Sequence, residues 1–369
     1  MSDSATAQIP VTTPLASVLA AAAKPLALVE YRGVMTPHML DAASDETEAL
    51  AHGAAVHDKG WLRRVEVRGE DRFRWLSGMV TNTVKDLPEN GGAWNLVLNA
   101  QGRILGDLTV WRTGEALTLE MEAAQAESLL AHFEHFIIMD DVELVALDTD
   151  ASTAETAIGL TGPKASQVLA RMGLPALAEP MTATHVEWNG LDLRVERGYG
   201  AAAEHYTLWV LPTGLQKLWR MLRTGGAGPA GSAAVEAFRV AEGIPLYGVD
   251  MVERDLPQET AQMRALHFNK GCYLGQEIVE RIRSRGNVHR HLRQLELEGP
   301  IPASGTELMQ NDAPVGHVTS AAELAMESGT RTFALGMIRA EGEVRNEPLT
   351  YTSGGAAGVA RILKAQPQL

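Results

Sequence analysis

One local pattern occurs twice in this chain, and it restricts the fold more than any other feature. Residues 65–76 pass from an alternating apolar–polar run through Gly69 into a helix. Ile158-Gly159-Leu160-Thr161-Gly162-Pro163-Lys164-Ala165 repeats that order of strand, glycine turn and helix start. Two related α/β lobes are therefore expected. In the first, residues 62–67 form a strand and 71–79 a helix with Phe73, Leu76 and Met79 inward. Residues 94–98 and 104–111 make a hairpin around Asn99-Ala100-Gln101-Gly102, followed by a helix over 122–135 and a strand over 142–147. The second adds strands over 191–195 and 206–211, a helix over 214–222, a Gly-rich loop over 224–232 and a helix over 233–242. From about Arg290 the texture becomes short alternating strands (291–297, 313–320, 332–338, 359–363) broken by Gly, Pro and Asn, which predicts a small β-barrel or sandwich.

The expected class is thus α+β. Residues 1–25 are expected as a disordered tail, 26–289 as a two-lobed module (lobes near 55–150 and 151–289) and 290–369 as a barrel. An amphipathic stretch lies at 26–50. No apolar run approaches the roughly 18–20 residues of a membrane span. The residues before Leu15 carry Asp3 and no Lys or Arg, so no basic leader is read there and a cytoplasmic location is expected. Forty-six acidic against 32 basic residues give a formal net charge of −14. That argues against broad nucleic-acid binding but leaves room for a local basic patch. The single cysteine, Cys272, excludes an internal disulfide and any cluster held by four thiolates of this chain.

Several tempting motifs fail. Gly198-Tyr199-Gly200-Ala201-Ala202-Ala203 matches a dinucleotide fingerprint by letters, yet a strand rather than a helix is expected after it. His132 and His135 lie three apart on a helix without a third ligand in view, so they read as packing or surface residues and no metal is assigned. The informative run is Asn269-Lys270-Gly271-Cys272-Tyr273-Leu274-Gly275-Gln276-Glu277. Lys270 and the N-terminus of a helix beginning at Gln276 would both favour a thiolate at Cys272, and Gly271 and Gly275 permit close backbone approach. A buried, inert cysteine in a Gly-rich connection explains the same letters. Beyond it, Arg281, Arg283, Arg285, Arg290 and Arg293 form the one dense basic run. It suits an anionic ligand tail or RNA phosphates, or equally a solvated linker.

Lys270-Gly271-Cys272-Tyr273-Leu274-Gly275-Gln276-Glu277 resembles the signature octapeptide of the YgfZ family, whose eukaryotic relatives assist iron–sulfur assembly. Residues 67–83, 98–107, 158–165 and 239–248 are similar to the folate-binding domain of glycine-cleavage T-proteins. Gly316-His317-Val318-Thr319-Ser320 and Ala334-Leu335-Gly336 resemble the C-terminal barrel of that superfamily. The resemblance implies a three-part cloverleaf around a folate tunnel, with tetrahydrofolate or a derivative as cofactor. By motif position Arg239 is the first candidate for a folate contact, followed by Asn99, Asp107 and Tyr247. Cys272 would be the reactive or ligand thiol, tuned by Lys270, with Gln276 and Glu277 shaping the site.

The chain departs from the T-protein pattern in two places. Gly106-Asp107 stands where T-proteins have paired acids, and Tyr199-Gly200-Ala201-Ala202 where they have Tyr-Thr-Gly-Glu. The expected function is a tetrahydrofolate-binding accessory protein for assembly or repair of iron–sulfur enzymes, tRNA-modifying ones included, with those enzymes as partners. A tetrahydrofolate-dependent aminomethyltransferase and an RNA-binding adaptor contacting tRNA through residues 281–293 are the alternatives.

Overall fold

A computed structural model describes residues 11–21, 25–150, 154–286, 288–345 and 347–369. Residues 11–21 correct the expected tail. Helix α1 (Pro14–Ala20) is capped by Thr13, whose hydroxyl accepts from the Ala16 amide and donates to the buried Asp58 carboxylate. Leu15 is fully buried in the second lobe's core with Leu215 and Leu218. An apolar residue seated there removes more surface from water than a free tail would, so the segment is pinned. The rest of the expected tail, residues 1–10 and 22–24, lies outside the described residues.

The amphipathic stretch resolves into a small hairpin, β1 (Leu28–Tyr31) and β2 (Val34–Pro37), and helix α2 (Ala43–His52). β3 (Ala55–Asp58) is buried at all four positions. The first lobe then runs β4 (Leu62–Arg68), α3 (Arg72–Met79), β5 (Gly92–Leu98), β6 (Ile104–Thr113), β7 (Ala116–Glu122), α4 (Ala123–His135) and β8 (Glu143–Ala146). Its sheet has the order β5-β6-β7-β4-β8. The second lobe comprises β9 (Thr156–Gly162), α5 (Ala165–Arg171), β10 (Thr182–Trp188), β11 (Leu191–Arg197), β12 (Glu204–Val210), α6 (Pro212–Thr224), β13 (Gly228–Ala230) and α7 (Ser232–Ala241). Its six strands have the order β10-β11-β12-β9-β3-β13, with β13 standing inside the expected Gly-rich loop.

Both lobe boundaries shift. β3 pairs with β9 and β13, so residues 55–58 belong to the second sheet. Conversely, residues 244–286, ending in α8 (Gln276–Arg285), fold back onto the first. Met251, Ala265, Leu266, Tyr273 and Val279 bury against Leu96, Leu98 and Ile104 of β5 and β6. Sequence order assigned these segments to the nearer lobe, whereas apolar burial assigns them to the other.

The C-terminal part is a closed six-stranded barrel: β14 (Arg290–Glu298), β15 (Glu307–Gln310), β16 (Ala313–Met326), β17 (Gly329–Arg339), helix α9 (Ala340–Val344), β18 (Leu349–Ser353) and β19 (Ala356–Ile362). Pairing of β14 with both β17 and β19 closes it and removes both sheet edges. No described helix is long and apolar enough to cross a membrane.

Leu15→Ala tests the docking of α1. Removing the side chain from a core without slack should cost about 2–4 kcal/mol in urea unfolding. A free tail would give no measurable change.

Candidate ligand-binding site

The two sheets and α7 enclose a central cavity of about 250 Å³. The β6–β7 pair explains its wall. Thr109 lies opposite Glu120 and Trp111 opposite Thr118 in the antiparallel register. Leu108, Val110, Leu119 and Met121 point to the other face and fill the first lobe's core with Leu129 and Phe133. Strand alternation therefore sends Asp107, Thr109, Trp111, Glu120 and Glu122 into the cavity. His57, Lys59, Thr161 and Thr207 face them from the second lobe, while Trp61, Trp94, Tyr199 and Phe238 supply flat apolar walls. Gly159 is needed opposite His57, because a Cβ there would stand 2.1 Å from the imidazole.

The enclosed charges are mostly paired. Arg32 Nη1 meets Glu122 Oε1 at 2.5 Å. Lys59 Nζ donates to Thr207 Oγ1 at 2.8 Å, and burial lowers its pKa. Asp107 Oδ2 accepts from Trp94 Nε1 at 2.7 Å and Oδ1 from Gln125 Nε2 at 3.2 Å, and burial raises its pKa. Burial pushes His57 down to about 3, so its ring is neutral. Glu242 meets His205 at 2.6 Å and accepts from the Ala202 and Ala203 amides, fixing the loop that carries Tyr199.

Four buried polar atoms of the wall have no hydrogen-bond partner among the described residues: Arg32 Nε, Trp111 Nε1, Glu120 Oε2 and Arg264 Nε. Such atoms are costly unless a ligand or water satisfies them. The Arg264 guanidinium sits 3.6 Å from the Tyr199 ring centroid and 4.8 Å from that of Trp94. Burial lowers its pKa to about 10. With Tyr199, Glu242 and Ile244 it also borders a second recess of about 420 Å³ that runs toward Leu292 and Gln294 of the barrel.

Residues 21–270 match the family model for the GCVT N-terminal domain, and residues 289–368 match that for the CAF17 C-terminal β-barrel domain. The chain belongs to the GCVT family. An aminomethyltransferase of Rubrobacter xylanophilus is 30% identical over 303 residues, covering 79% of this chain and 78% of that protein. A chloroplastic protein of Arabidopsis thaliana, provisionally named a transferase, is 26% identical over 302 residues, covering 81% of this chain and 68% of its own length. The crystal structure of the glycine cleavage system aminomethyltransferase T from Bartonella henselae superposes with a TM-score of 0.84. It covers 97% of this chain and 98% of that one at 20% identity, a likeness of fold.

Within this GCVT-type module the sequence-derived candidates separate. Asp107 and Arg239 line the cavity. Arg239, however, is spent on structure: Nε donates to Glu236, and Nη1 to Ile244 O at 2.6 Å and Asp250 Oδ2 at 2.7 Å. Asp250 in turn accepts from Thr319 and Ser320 of β16, so Arg239 ties the module to the barrel. Asn99 closes the β5–β6 turn by accepting from the Gln101 and Arg103 amides. Tyr247 packs beside the cluster of Met251 and Tyr273, and neither it nor Asn99 is part of the cavity wall.

The octapeptide forms a separate unit against the end of β5 and β6 that carries Leu96, Leu98 and Ile104. Gly271 and Gly275 have φ of 99° and 80°, and a Cβ on Gly275 would stand 2.6 Å from Asn99 O. Tyr273 is buried, and its amide donates to Gln276 Oε1. Lys270 Nζ donates to Val80 O at 2.5 Å. Glu277 is exposed in the first turn of α8. Cys272 is exposed and stands outside the cavity wall. In the basic run, Arg290 pairs with Asp255 and Glu259, and Arg293 with Glu343. Arg281 and Arg283 remain exposed on α8, the latter against Phe268. The Arg285 side chain and Asn287 lie outside the described residues. His132 and His135 pack edge-on against Phe136.

Arg32, Lys59, Glu120, Glu122 and Arg264 carry much of the cavity's charge and were absent from the sequence candidates. The Thr118, Glu120, Glu122 alternation was the available signal, but such a face ordinarily meets water.

Burial, and secondarily Lys85, lowers the Lys270 pKa to about 7. Above that pH the folded chain carries a neutral amine, while the unfolded chain keeps its proton up to about 10.4. Folding stability should therefore rise with pH across that window relative to Lys270→Met, the cost of the buried ammonium being full below pH 7. Paired urea titrations at pH 6.5 and 9.5 check the sign.

Proposed function

We infer that the protein binds tetrahydrofolate or a close derivative in the central cavity and works as an accessory factor for iron–sulfur enzymes, tRNA-modifying ones included. The observation that carries the folate reading is the combination of aromatic walls with unsatisfied polar atoms in one cavity. A pterin is flat, with a hydrogen-bonding edge, and suits the space among Trp61, Trp94, Trp111 and Phe238. Its glutamate carboxylate suits Arg264, which has no acid partner among the described salt bridges and borders the second recess. Tetrahydrofolate supplies one-carbon carriage when bound, and the residues of this chain bind, orient and shield it.

The accessory role draws on the YgfZ-type octapeptide. Its only thiol is held at the surface by glycine turns, where a client could reach it. Client enzymes, and tRNA through the exposed Arg281 and Arg283, would meet this face of the molecule in the cytoplasm. Aminomethyl transfer is disfavoured by Gly106. A Cβ at that position would stand 2.6 Å from Gln125 Oε1 and 2.8 Å from Leu129 Cδ2, so the first acid of the T-protein pair would require both side chains to move.

Tetrahydrofolate should quench the cavity tryptophans at 1:1 stoichiometry, and absence of saturable quenching up to millimolar ligand would remove the folate reading. In cells, deletion should lower iron–sulfur enzyme activity, with rescue by wild type and not by Cys272→Ala. Equal rescue by both would take the thiol out of the function. With lipoylated carrier protein, methylene transfer should stay at background; robust turnover surviving Cys272→Ala would identify an aminomethyltransferase.

A further inference from the structure

Arg264 stands where the central cavity meets the second recess, and its guanidinium is held there by rings alone. Among the described residues it makes no hydrogen bond or ion pair, and its Nε is buried without an acceptor. Asp107 and Glu242 act on it electrostatically, yet each is engaged elsewhere. Asp107 accepts from Trp94 and Gln125, and Glu242 pairs with His205 and accepts from the Ala202 and Ala203 amides. The guanidinium carbon lies 3.6 Å from the Tyr199 ring centroid and 4.8 Å from that of Trp94. The two rings do not touch each other among the described ring pairs, so the flat cation fills the slot between them.

The floor of the slot is fixed and its occupant is not. Asn82 Nδ2 donates to Trp94 O at 3.0 Å and to Arg264 O at 2.8 Å, and Thr81 Oγ1 donates to Ala265 O at 2.6 Å. The Trp94 indole is tied to Asp107 at 2.7 Å. Backbone and inner wall are thereby pinned, while no polar contact tethers the Arg264 side chain. Trp94, Tyr199 and Arg264 line the cavity, and Tyr199 and Arg264 also line the recess with Gln262 and Gln294. The recess has no free acid for a displaced cation, since Glu242 is engaged and Arg293 adds a second cation, itself paired with Glu343.

We propose that Arg264 selects the ligand: a p-aminobenzoyl ring replaces the guanidinium in the Trp94–Tyr199 slot, and a carboxylate of the same ligand meets the displaced cation in the recess. This rests on the folate-binding reading above and adds to it the ligand class, folates with an ionised glutamate rather than free pteridines or neutral conjugates. The ligand's parts run pterin, ring, glutamate, in the order of cavity, slot and recess. A ring without a carboxylate would turn the cation out of its aromatic contacts with nothing to receive it, a cost that discriminates against such ligands. A carboxylate supplies charge-assisted hydrogen bonds to donors that the free chain leaves unused. No covalent bond forms and no proton is transferred.

Tryptophan quenching of the full chain tests this by comparing 5-formyltetrahydrofolate with its diamide, in which both glutamate carboxyls are primary amides. Wild type should bind the acid at least about 30-fold more tightly, the difference expected for charge-assisted hydrogen bonds. Arg264→Ala should act with opposite signs, weakening the acid at least about tenfold and strengthening the diamide about threefold, because no cation–π contact has to be broken. Equal wild-type affinities for acid and diamide overturn the inference, even should Arg264→Ala prove unfolded. So does a folded Arg264→Ala that leaves the diamide's affinity unchanged or lowers it, the folate reading then standing without the exchange. No saturable binding of the acid to wild type overturns the folate reading and this inference together.

Discussion

The structure depends on keeping a set of ionisable groups between two sheets, largely withdrawn from bulk water. Arg32, Lys59, Asp107, Glu120 and Glu122 line one cavity, and Asp58 and Glu196 are buried behind it. An isolated charge there would be prohibitive, so the groups survive by pairing or by giving up charge. Arg32 and Glu122 pair, His57 stays neutral, and Asp58 spreads its load over Thr13, Thr36 and the Gly60 amide. The Asp58 arrangement makes the N-terminal segment part of the solution, since Thr13 belongs to the chain just before α1.

The same demand explains why the lobes are interlaced. If each sheet held only its consecutive strands, the polar face of β6 and β7 would open to solvent. β3 crossing into the second sheet carries His57 to the opposite wall, and the turn after it carries Lys59. Arg239 then closes the assembly from α7, reaching through Asp250 to Thr319 and Ser320 of the barrel. It is a joint among three parts, which accounts for its burial without any ligand.

Much of this was legible in the sequence. The repeated strand–glycine–helix order, the 94–111 hairpin and the change of texture at Arg290 correspond to real elements, because each is set by local periodicity and turn chemistry. The crossings were not legible, since β3 and residues 244–286 join distant sheets through contacts that leave no local trace. Asp107, singled out by motif position, lines the cavity, whereas Glu120 and Glu122 sit on an alternating strand whose polar face looks solvated. Alternation identifies two faces but does not say whether a second sheet covers the polar one. Asn99 drew attention for a real reason, but that reason is the turn it builds.

The turn at Asn99 also joins the two functional regions. Toward one end of the β5–β6 hairpin, Trp94 bonds to Asp107 and stacks with Arg264 at the cavity. Toward the other, Leu96, Leu98 and Ile104 support Tyr273 of the octapeptide, while Gly275 lies against Asn99 O and Gly102. Trp94, Leu96 and Leu98 fall on one face of β5, so that face is the wall of the cavity at one end and the floor beneath the Cys272 loop at the other. Gly102 meets Ile278 of α8 equally closely, with a Cβ–Cβ separation of 2.8 Å were a side chain present. Trp94 and the residues that support the thiol loop thus belong to one packed cluster. Interfaces this tight pass displacement on because they have no slack to absorb it.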